Sequence, residues 1–440
     1  MTVSDLSQKI SMNNKVLEVI ERIARDGLCT GCGTCVGICP SDALKMVRFN
    51  SNGCHFPQLD NERCNNCGLC LRVCPGYSVD FKTLNLDIFG REPEDILIGN
   101  YQSCHLGHAT DDDIRYNAAS GGVITALLIF ALERGIIDGA LVTRMKKDQP
   151  LEPEPFIART REEIIETSKS KYCPVPANVA LKKILNSKRA EKFAVVGLPC
   201  HIQGVRKAES VHKGLKEKIV LHLGIFCSHN DTFLQTEFLL SNLLLRAQDV
   251  AKIDYRGEGW PGMMSILLKN GRKLSLPFSE MISFHKLWFY ALPRCALCCD
   301  LTAELADVSC GDPWLPEVMA NEKIGKSIVI CRTKIGKAIC MEAVRNGCIE
   351  IEELDPNKVK RSGDMMKTKK RDIKVRFFLR RLFNKPTPVY NTVLMQPGPI
   401  NYLRGVLVYL NVWISSKRYM RRFINPLSRI ELGLLSLKKG

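Results

Sequence analysis

The sequence predicts an α/β protein (α+β overall) with a cysteine-rich domain near its N-terminus and a basic helical tail. Three observations predict this: eight cysteines fall in two short runs, the middle of the chain alternates apolar strands with helices, and positive charge collects near the C-terminus. A chain of 440 residues has room for the cysteine-rich unit and for ordinary domains with cores of their own. We expect four parts, at residues 1–25, 26–80, 81–355 and 356–440.

The first predicted element is a helix over residues 12–26. Val16, Ile20 and Ile23 fall on one face of this helix, and Gly27 supplies a stop signal. We expect the helix to pack against the cysteine-rich domain that follows.

The two cysteine runs have the pattern C-x-x-C-x-x-C-x-x-x-C-P, which ends at Pro40 and at Pro75. In bacterial-type ferredoxins this pattern holds two 4Fe-4S clusters, and the fourth cysteine of each run ligates the other cluster. The spacing therefore predicts one cluster on Cys29, Cys32, Cys35 and Cys74, and another on Cys64, Cys67, Cys70 and Cys39. Zinc is the alternative, but four cysteines in one short run suit a cuboidal cluster better. We expect residues 26–80 to form a ferredoxin-like domain that transfers electrons.

Beyond this domain, residues 80–116 are predicted to be an irregular connection, and a compact alternation of strands and helices follows. VITALLIFALERG predicts a helix that ends at Gly135, GALVTR and residues 155–159 predict strands, and REEIIETS predicts a short helix. A helix is expected from Ala177 to Leu185, and buried strands at residues 193–196 and in IVLHLGIFC. MMSILLKNGRKLSLPF predicts a hairpin with an Asn-Gly tip. The alternation indicates a mixed or parallel sheet whose chemistry gathers at the carboxyl ends of its strands.

Four further cysteines lie at predicted strand ends or turns, namely Cys200, Cys227, Cys295 and Cys298. If their thiolates converge, they can hold another 4Fe-4S cluster. The alternative is that they are buried as small apolar residues, which is the usual fate of a free cysteine. Spacing alone favours that alternative for Cys200 and Cys227, and Cys299 and Cys310 compete for the role of ligand.

A small-residue segment, Ser120, Gly121 and Gly122, precedes the apolar helix. Bare N–H groups and the positive end of a helix dipole can bind a phosphate there, although small residues also begin helices for steric reasons. Lys171 and Tyr172 offer a cation and a flat ring to a dinucleotide or an isoalloxazine, or they lie on a solvated surface. The glycine-rich turn GEGWPG leads into the predicted hairpin and opens no helix, so no Rossmann NAD fingerprint is present and the sequence favours some other electron partner over NAD(P)H.

Six segments then occur in one order: ATDDDIRYNAASGGVITALL, SKYCPV, VVGLPCHIQGVRK, LGIFCSH, YRGEGWPG and RCALCCDLTAELADVSCGDPW. Together with the cysteine runs, they resemble the coenzyme F(420) hydrogenase/dehydrogenase beta-subunit family over about residues 26–335. Members of that family are iron-sulfur flavoproteins that bind FAD. They pass electrons between clusters and a hydride carrier, often the deazaflavin coenzyme F(420).

The resemblance implies an oxidoreductase with a mixed-sheet, flavin-binding α/β domain at residues 81–355. It implies a third 4Fe-4S cluster on Cys200, Cys227, Cys295 and Cys298. It puts the flavin contacts on Ser120, Gly121, Gly122, Thr125, Lys171 and Tyr172. The additional thiols Cys173, Cys299 and Cys310 leave the ligand choice at the third cluster open.

Electron exchange between the clusters, FAD and coenzyme F(420) is therefore the leading function. Hydride transfer between stacked rings needs no general base, so no catalytic side chain is assigned. Lys171 and Arg256 are the expected cations for the phosphate and acidic tail of the coenzyme, and Asp307 and Asp312 are expected to anchor a turn. The alternatives are a ferredoxin-dependent reductase of another organic substrate and an electron-relay subunit without a substrate of its own. The expected protein partner is a ferredoxin or a hydrogenase or dehydrogenase subunit.

The net charge of +17 is concentrated in residues 356–440, which contain 20 Lys and Arg but 3 Asp and Glu. Basic residues alternate there with apolar ones, as in helices that lie on anionic bilayers. This pattern predicts peripheral contact with the inner face of a membrane, or docking to an acidic partner. No nucleic-acid-reading motif accompanies the charge, so nucleic acid is not an expected partner. The N-terminal segment shows no apolar signal region, and we expect the reducing cytoplasm.

Overall fold

A mixed sheet of eight strands organises the part of the chain that the structure describes. The structure is a computed structural model that describes residues 15–363 and 365–424. The strands are β1 Leu44–Phe49, β2 Cys54–Leu59, β3 Ser78–Val79, β4 Ser103–Ala109, β5 Gly139–Met145, β6 Pro153–Ala158, β7 Phe193–Gly197, β8 Ile219–Ile225, β9 Val250–Asp254, β10 Met263–Leu268, β11 Lys273–Pro277, β12 Val308–Gly311, β13 Ser327–Cys331, β14 Ile349–Glu353 and β15 Val389–Tyr390.

The helices are α1 Lys15–Arg25, α2 Thr34–Gly37, α3 Leu69–Arg72, α4 Phe81–Phe89, α5 Asp112–Asn117, α6 Val123–Glu133, α7 Arg161–Glu166, α8 Leu181–Leu185, α9 Pro199–Val211, α10 Lys213–Lys218, α11 Phe233–Asn242, α12 Phe278–Lys286, α13 Pro316–Asn321, α14 Lys334–Arg345, α15 Pro356–Arg361, α16 Met365–Lys367, α17 Ile373–Leu382 and α18 Pro399–Ser415. Turns of 3-10 helix lie at Ala177–Ala180, Ala247–Asp249, Pro293–Leu297 and Arg418–Phe423. A π-helical turn, Thr368–Asp372, joins α16 to α17.

The strand order of the large sheet is β14-β4-β13-β12-β8-β7-β5-β6. The four strands β5, β7, β8 and β12 run parallel to one another, whereas β4, β6, β13 and β14 pair antiparallel with their neighbours. The carboxyl ends of the four parallel strands therefore meet at one edge, where ligands of open α/β sheets bind. This mixed sheet confirms the α/β class that the sequence predicts.

Helices cover both faces of the sheet and form two cores. On one face, α6 is apolar nearly all round because it is buried, with Leu127 and Phe130 packed in a core that includes Ala140 and Val142 of β5. On the other face, α8 and α9 pack against Leu141, which lies between Ala140 and Val142 in β5. The alternation along β5 follows from the two-residue period of a strand.

Several predicted elements are confirmed. Helix α1 is followed by Gly27 at φ 66°, and α6 is followed by Gly135 at φ 65°, the left-handed conformation in which helices commonly end. β10 and β11 pair antiparallel around the predicted Asn-Gly tip. The helix expected from Ala177 to Leu185 is a 3-10 turn followed by α8.

Residues 80–116 are not the irregular connection that the sequence predicts. They contain α4, α5 and β4, and β4 lies inside the large sheet between β14 and β13. The sequence of β4, SCHLGHA, has no β-branched residue, and so it gives no signal of a buried strand. Its polar side chains are satisfied locally, since His105 bonds to the Ser103 hydroxyl and His108 to the Ala109 carbonyl, both at 2.9 Å.

The cysteine-rich unit docks tightly on the large domain. The side chain of Asn178 donates to Thr34 Oγ1 at 2.8 Å, and its backbone N–H donates to the carbonyl of Cys32 at 2.9 Å. Gly37 lies so close to the same segment that a Cβ atom on it would meet the Asn178 carbonyl at 2.1 Å. Only glycine fits at such a contact.

The basic C-terminal region folds back onto the body. β15 pairs in parallel with β3 of the cysteine-rich unit. The basic side chains of Lys369, Lys370 and Arg376 are buried, which the charge pattern did not predict. The side chains of Arg421 and Arg422 and the whole of residues 425–440 fall outside the described residues. Within the described ranges, no helix has both the length and the apolar character needed to cross a bilayer.

Candidate redox site

Two cavities in the cysteine-rich unit are each lined by four thiols. The inner set consists of Cys29, Cys32, Cys35 and Cys74. The outer set consists of Cys39, Cys64, Cys67 and Cys70. The thiols are thus grouped as the spacing predicts, with the fourth cysteine of each run contributed to the other set.

The spread of these thiols suits a cuboidal cluster better than a single ion. Zinc holds thiolate sulfur at about 2.3 Å, which keeps two ligand sulfurs within about 4.6 Å of each other. Among the described residues, the one trio of ligand-type side chains whose ligand atoms all lie within 4.8 Å is His229, Asp231 and His285. Among the described residues, no three of the eight thiols are grouped as closely as the ligands of a single zinc ion would be.

Two left-handed glycines shape these cavities. Gly33, at φ 80°, precedes α2, which carries Cys35, and Gly68, at φ 69°, precedes α3, which carries Cys70. A Cβ atom on Gly33 would also meet Val179 at 2.7 Å. Both the backbone conformation and the close packing require glycine at that position.

The two sets differ in their access to solvent. Cys67 of the outer set is exposed, whereas the four thiols of the inner set are buried or half-buried in a cavity lined by Ile20 and Ile23 of α1. Burial raises the pKa of Cys70 to about 12, and the charges of Cys67, Cys74 and Cys39 add to this effect. The outer set therefore lies at the surface, with the inner set directly behind it.

The third set, Cys200, Cys227, Cys295 and Cys298, is brought together at the carboxyl edge of the parallel strands. Cys200 follows β7 in the first turn of α9, Cys227 follows β8, and the other two lie on or just after the turn Pro293–Leu297. Burial raises the pKa of Cys200 well above its ordinary value, and the charges of Cys32, Cys227, Cys295 and Cys298 raise it further. The third set therefore lies within electrostatic range of Cys32 of the inner set.

The competing thiols have other surroundings. Cys310 lies in the core between the sheet and α14, where burial and Cys331 raise its pKa. Cys299 packs in the opposite core, and Cys173 lies in the cluster that includes Tyr255. Cys54, outside both cysteine runs, is buried in β2 as expected of a small apolar residue, and it has Cys295 as an electrostatic neighbour.

A buried polar trio adjoins the third set. His285 Nδ1 lies 3.0 Å from an Asp231 carboxylate oxygen, and His229 Nε2 lies 3.3 Å from the other oxygen. Burial lowers the pKa of His229 to about 4. The two imidazole rings stack with centroids 3.6 Å apart, so their in-plane lone pairs do not converge on one point as metal ligation requires. Within the trio Asp231 and His285 are hydrogen-bonded, whereas the two ring nitrogens of His229 have no hydrogen-bond partner among the described residues.

Tyr172 links this trio to the arginine that the sequence singles out. Its ring lies 5.6 Å from the His285 ring and 5.9 Å from Phe278, and the guanidinium of Arg256 lies 4.2 Å from the centre of Phe278. Burial raises the pKa of Tyr172 to about 12. Arg256 is paired with Asp312, which follows β12 at the same sheet edge.

Lys171 and the small-residue segment have partners inside the protein. The Lys171 ammonium donates to the carbonyls of Thr167, Ser168 and Lys169, and burial lowers its pKa to about 8. Ser120 donates to the Lys326 carbonyl, and the N–H of Gly121 donates to Ser327 Oγ at 2.8 Å.

The N-terminal end of α6 is shaped by close packing. A Cβ atom on Gly121 would meet the Gly107 carbonyl at 2.6 Å, so Gly121 has a steric role independent of any ligand. Gly122, at φ 75°, begins α6, and Thr125 in its first turn is half-buried.

A glycine-rich loop brings the predicted flavin segments together. A Cβ atom on Gly257 would meet Lys169 at 2.9 Å and the Asn117 carbonyl at 3.4 Å. The N–H of Gly259 donates to the Tyr116 carbonyl at 2.9 Å. The segment before Ser120 and the segment before Lys171 therefore meet across this loop, near the carboxyl edge of the sheet.

Residues 104–182 and 190–357 match the N-terminal and C-terminal models of the coenzyme F(420) hydrogenase/dehydrogenase beta subunit. Residues 28–77 match a 4Fe-4S dicluster domain. The chain is 32% identical over 271 residues to the coenzyme F(420) hydrogenase subunit beta of Methanosarcina barkeri, covering 60% of this chain and 87% of that protein.

The chain belongs to this family. The corresponding subunit of Methanothermobacter thermautotrophicus is 34% identical over 270 residues, covering 59% of this chain and 89% of the relative. A chain of the F(420)-reducing [NiFe] hydrogenase complex from Methanosarcina barkeri superposes with a TM-score of 0.52 at 27% identity, covering 68% of this chain and 98% of that chain. The chain is thus a member of an oxidoreductase family and carries an N-terminal 4Fe-4S domain, as the sequence predicts.

Proposed function

We propose that this chain is an iron-sulfur flavoprotein that passes electrons between three 4Fe-4S clusters, FAD and coenzyme F(420). The observation that carries the proposal is the pair of cavities, each lined by four thiols, with a third set of four thiols beside the inner one. When bound, the clusters supply single-electron transfer and FAD supplies hydride transfer.

In this proposal the inner, outer and third sets each hold one cluster. The order of the sets supports a path from the surface inward. Cys67 is exposed, Cys70 of the outer set has Cys74 of the inner set as a neighbour, and Cys200 of the third set has Cys32 as a neighbour. A partner protein would therefore exchange electrons with the outer set near Cys67, and the substrate would react at the opposite end of the path, beyond the third set.

FAD is assigned to the region between the N-terminus of α6 and Tyr172. Ser120, Gly121, Gly122 and Thr125 border this region on one side, with Lys171 and Tyr172 on the other. The Gly257 contacts join the two sides, and the ring of Tyr172 adjoins the trio beside the third set. In this arrangement Tyr172 positions the flavin, whereas Lys171 holds the loop carbonyls from Thr167 to Lys169.

Coenzyme F(420) is the proposed hydride partner because the relatives named above act with it and the NAD fingerprint is missing from the sequence. Its phosphate and acidic tail call for cations at the rim of the site. Arg256 is committed to Asp312, so the rim charge is assigned to neighbouring lysines. Lys323 is the candidate. Its side chain is exposed, and its backbone carbonyl accepts a hydrogen bond from the N–H of Trp260, which lies in the same loop as Arg256.

The proposal is tested by anaerobic stopped-flow spectroscopy of the full chain with its cofactors. Reduced coenzyme F(420), NADH and NADPH are mixed with the protein in separate runs. We expect rapid bleaching of the flavin by the deazaflavin alone. Bleaching by reduced ferredoxin only would identify a ferredoxin-dependent reductase of another organic substrate.

An electron-relay subunit is the second candidate. It is favoured by the internal bonding of Lys171 and Gly121, two of the six proposed flavin contacts. Flavin analysis of anaerobically purified protein separates the two candidates, because a relay of clusters alone would contain iron and sulfide without flavin.

We also propose that α17 and α18 attach the protein to an anionic membrane surface. Residues 373–424 contain no Asp or Glu, so the charge there is wholly positive. Large apolar side chains are exposed on the same helices, namely Phe378, Leu382, Ile400, Leu403, Leu410 and Trp413. Basic helices with exposed aromatic and aliphatic residues bind anionic bilayers at the level of the headgroups.

A further inference from the structure

The region that follows the family match brings a buried cation to the third set. The match to the C-terminal family model ends at residue 357, yet Lys369 is only 1% exposed. Its ammonium lies 3.4 Å from the Sγ atom of Cys298 and donates to the carbonyl of Asp300 at 2.7 Å. A lysine that the charge count assigns to a tail is therefore part of the site.

The surroundings of Lys369 leave its charge to be balanced by the cysteines. Its ammonium is buried 3.4 Å from the Sγ atom of Cys298, which belongs to the same set of thiols as Cys227 and Cys295. Among the ion pairs of the described residues, Lys369 takes part in none. A buried ammonium is strongly disfavoured unless negative charge lies close to it.

The nearby carboxylates have other partners. Glu304 pairs with Lys370 at 2.6 Å. The carboxylate of Asp300 accepts from Gln203 at 3.0 Å and from the N–H of Glu304 at 3.2 Å. The Lys369 ammonium donates to the backbone carbonyl of Asp300 and to the sulfur of Cys298, and it forms no ion pair with the Asp300 carboxylate.

The backbone around Lys369 is specialised to reach this position. Lys369 lies in the π-helical turn Thr368–Asp372, within the helical run from α16 to α17. Such turns are rare and occur frequently at functional sites. Arg376 braces the turn, since it donates to the carbonyls of Ala296 and Thr368. The turn is thereby fixed against the segment that carries Cys295 and Cys298.

The inner and outer sets have lysines of a different kind. Lys207 donates to the carbonyls of Cys74 and Ser78, at 2.8 and 2.5 Å. Lys182 donates to the carbonyl of Cys39 and pairs with Asp42. In the described part of the chain, the hydrogen bonds from lysine to a cysteine sulfur are confined to Lys369 and Cys298. Net charge and hydrogen bonds to sulfur are the two protein features that set cluster potentials at a given burial.

We propose that Lys369 raises the reduction potential of the cluster on the third set, through its charge and its hydrogen bond to Cys298. The ammonium stabilises the more negative, reduced form, which favours residence of an electron at the flavin end of the path. This inference rests on the proposed third cluster. Lys369 acts on that cluster through Cys298 and touches no substrate.

The test is an anaerobic redox titration of the full-length, cofactor-loaded protein, followed by electron paramagnetic resonance. Wild type is compared with Lys369→Met, which removes both charge and donor, and with Lys369→Gln, which keeps a donor. Lys182→Met is the matched control, because Lys182 contacts a backbone carbonyl of the outer set. The signal of the third cluster is the one that Cys295→Ser abolishes.

We expect the midpoint potential of that signal to become more negative in both Lys369 variants, and more so in Lys369→Met. The signals of the other clusters should keep their midpoints, and Lys182→Met should leave the third signal unchanged. Unchanged midpoints in both variants at full iron content would overturn the proposal. Selective loss of that cluster in both variants would also overturn it, since Lys369 would then retain the cluster rather than tune it.

Iron analysis of wild type separates this inference from the proposed function. Three clusters require about twelve iron atoms per chain and two require about eight. A value of about eight iron atoms per chain would show that the protein holds no third cluster, and this result does not depend on any Lys369 variant.

Discussion

Arg256 and Asp312 form a two-pronged ion pair, with nitrogen–oxygen distances of 2.7 and 2.8 Å, that ties the loop after β9 to the end of β12. The indole N–H of Trp260 donates to the same carboxylate at 2.8 Å. The Arg256 side chain is 1% exposed, so the pair is largely removed from water. The sequence predicted that Asp312 anchors the turn after Cys298, but its partners are Arg256 and Trp260 in the glycine-rich loop after β9.

Asp312→Ala should therefore destabilise the protein strongly. The change leaves the buried guanidinium of Arg256 without its carboxylate, which costs about 3–5 kcal/mol in the free energy of unfolding. Anaerobic urea denaturation measures the loss. Asp148→Ala, at an exposed position, is the matched control and should change the midpoint little. Equal midpoints for the two variants would show that the pair contributes no stability.

The third set gives a prediction about iron. Cys295→Ser and Cys298→Ser should each lose about a third of the iron, because each removes a ligand from one of three proposed clusters. Cys310→Ser is the control, since Cys310 lies in the core beside Cys331. Iron and sulfide analysis measures the result. Full iron in both serine variants would make these thiols structural, and loss in Cys310→Ser would assign the ligand there instead.

A buried charge network predicts the pH dependence of stability. His222 bonds to Glu209 at 2.6 Å and to Asp307 at 2.9 Å, and Arg206 lies 3.3 Å from each carboxylate. Burial and Arg206 oppose the charge on His222, but the two carboxylates outweigh them and raise its pKa. Because the pKa of His222 is higher in the folded than in the unfolded protein, its protonation stabilises the fold fully at pH values below the unfolded-state pKa of about 6.5. This stabilisation is lost as the pH rises through the folded-state pKa.

The difference in unfolding free energy between wild type and His222→Gln should therefore be largest below about pH 6.5 and shrink as the pH is raised. Urea denaturation at a series of pH values measures it. His212→Gln is the control at another histidine. A difference that grows with pH would contradict a positively charged His222.

The exposed apolar side chains of α18 predict membrane binding. The double change Leu403→Gln and Trp413→Gln should weaken binding to vesicles that contain phosphatidylserine, because it removes apolar area from the interface. Flotation at low salt measures binding, and Ile335→Gln on α14 is the control at an exposed apolar residue elsewhere. If wild type ignores these vesicles, an acidic protein partner takes their place.

Local patterns in the sequence predicted the features that depend on local spacing. The sequence predicted the two cysteine runs, the apolar helix α6 and the Asn-Gly hairpin because each pattern lies within one short, continuous segment. The sequence also put Cys200 and Cys227 at strand ends. Their convergence depends on the parallel pairing of β7 with β8, which periodicity cannot give.

The features that were missed depend on distant or atypical contacts. His229 and Asp231 follow Cys227 closely, but their partner His285 is 54 residues beyond Asp231. Lys369 looked like one of many surface cations, because a charge count does not show which cations are buried. β4 was missed because its histidines hide the pattern of a strand within a sheet.

The tight seam between the cysteine-rich unit and the large domain has a consequence for kinetics. Asn178 of the large domain packs closely against Gly37 and donates a hydrogen bond to Thr34. These contacts hold the cysteine-rich unit in place, so it does not move between donor and acceptor as a mobile electron-carrier domain does. The spacing between donor and acceptor along the path is then set by packing instead of by diffusion of a tethered module. Internal electron transfer in such an assembly should be insensitive to solvent viscosity and should proceed even in a glass.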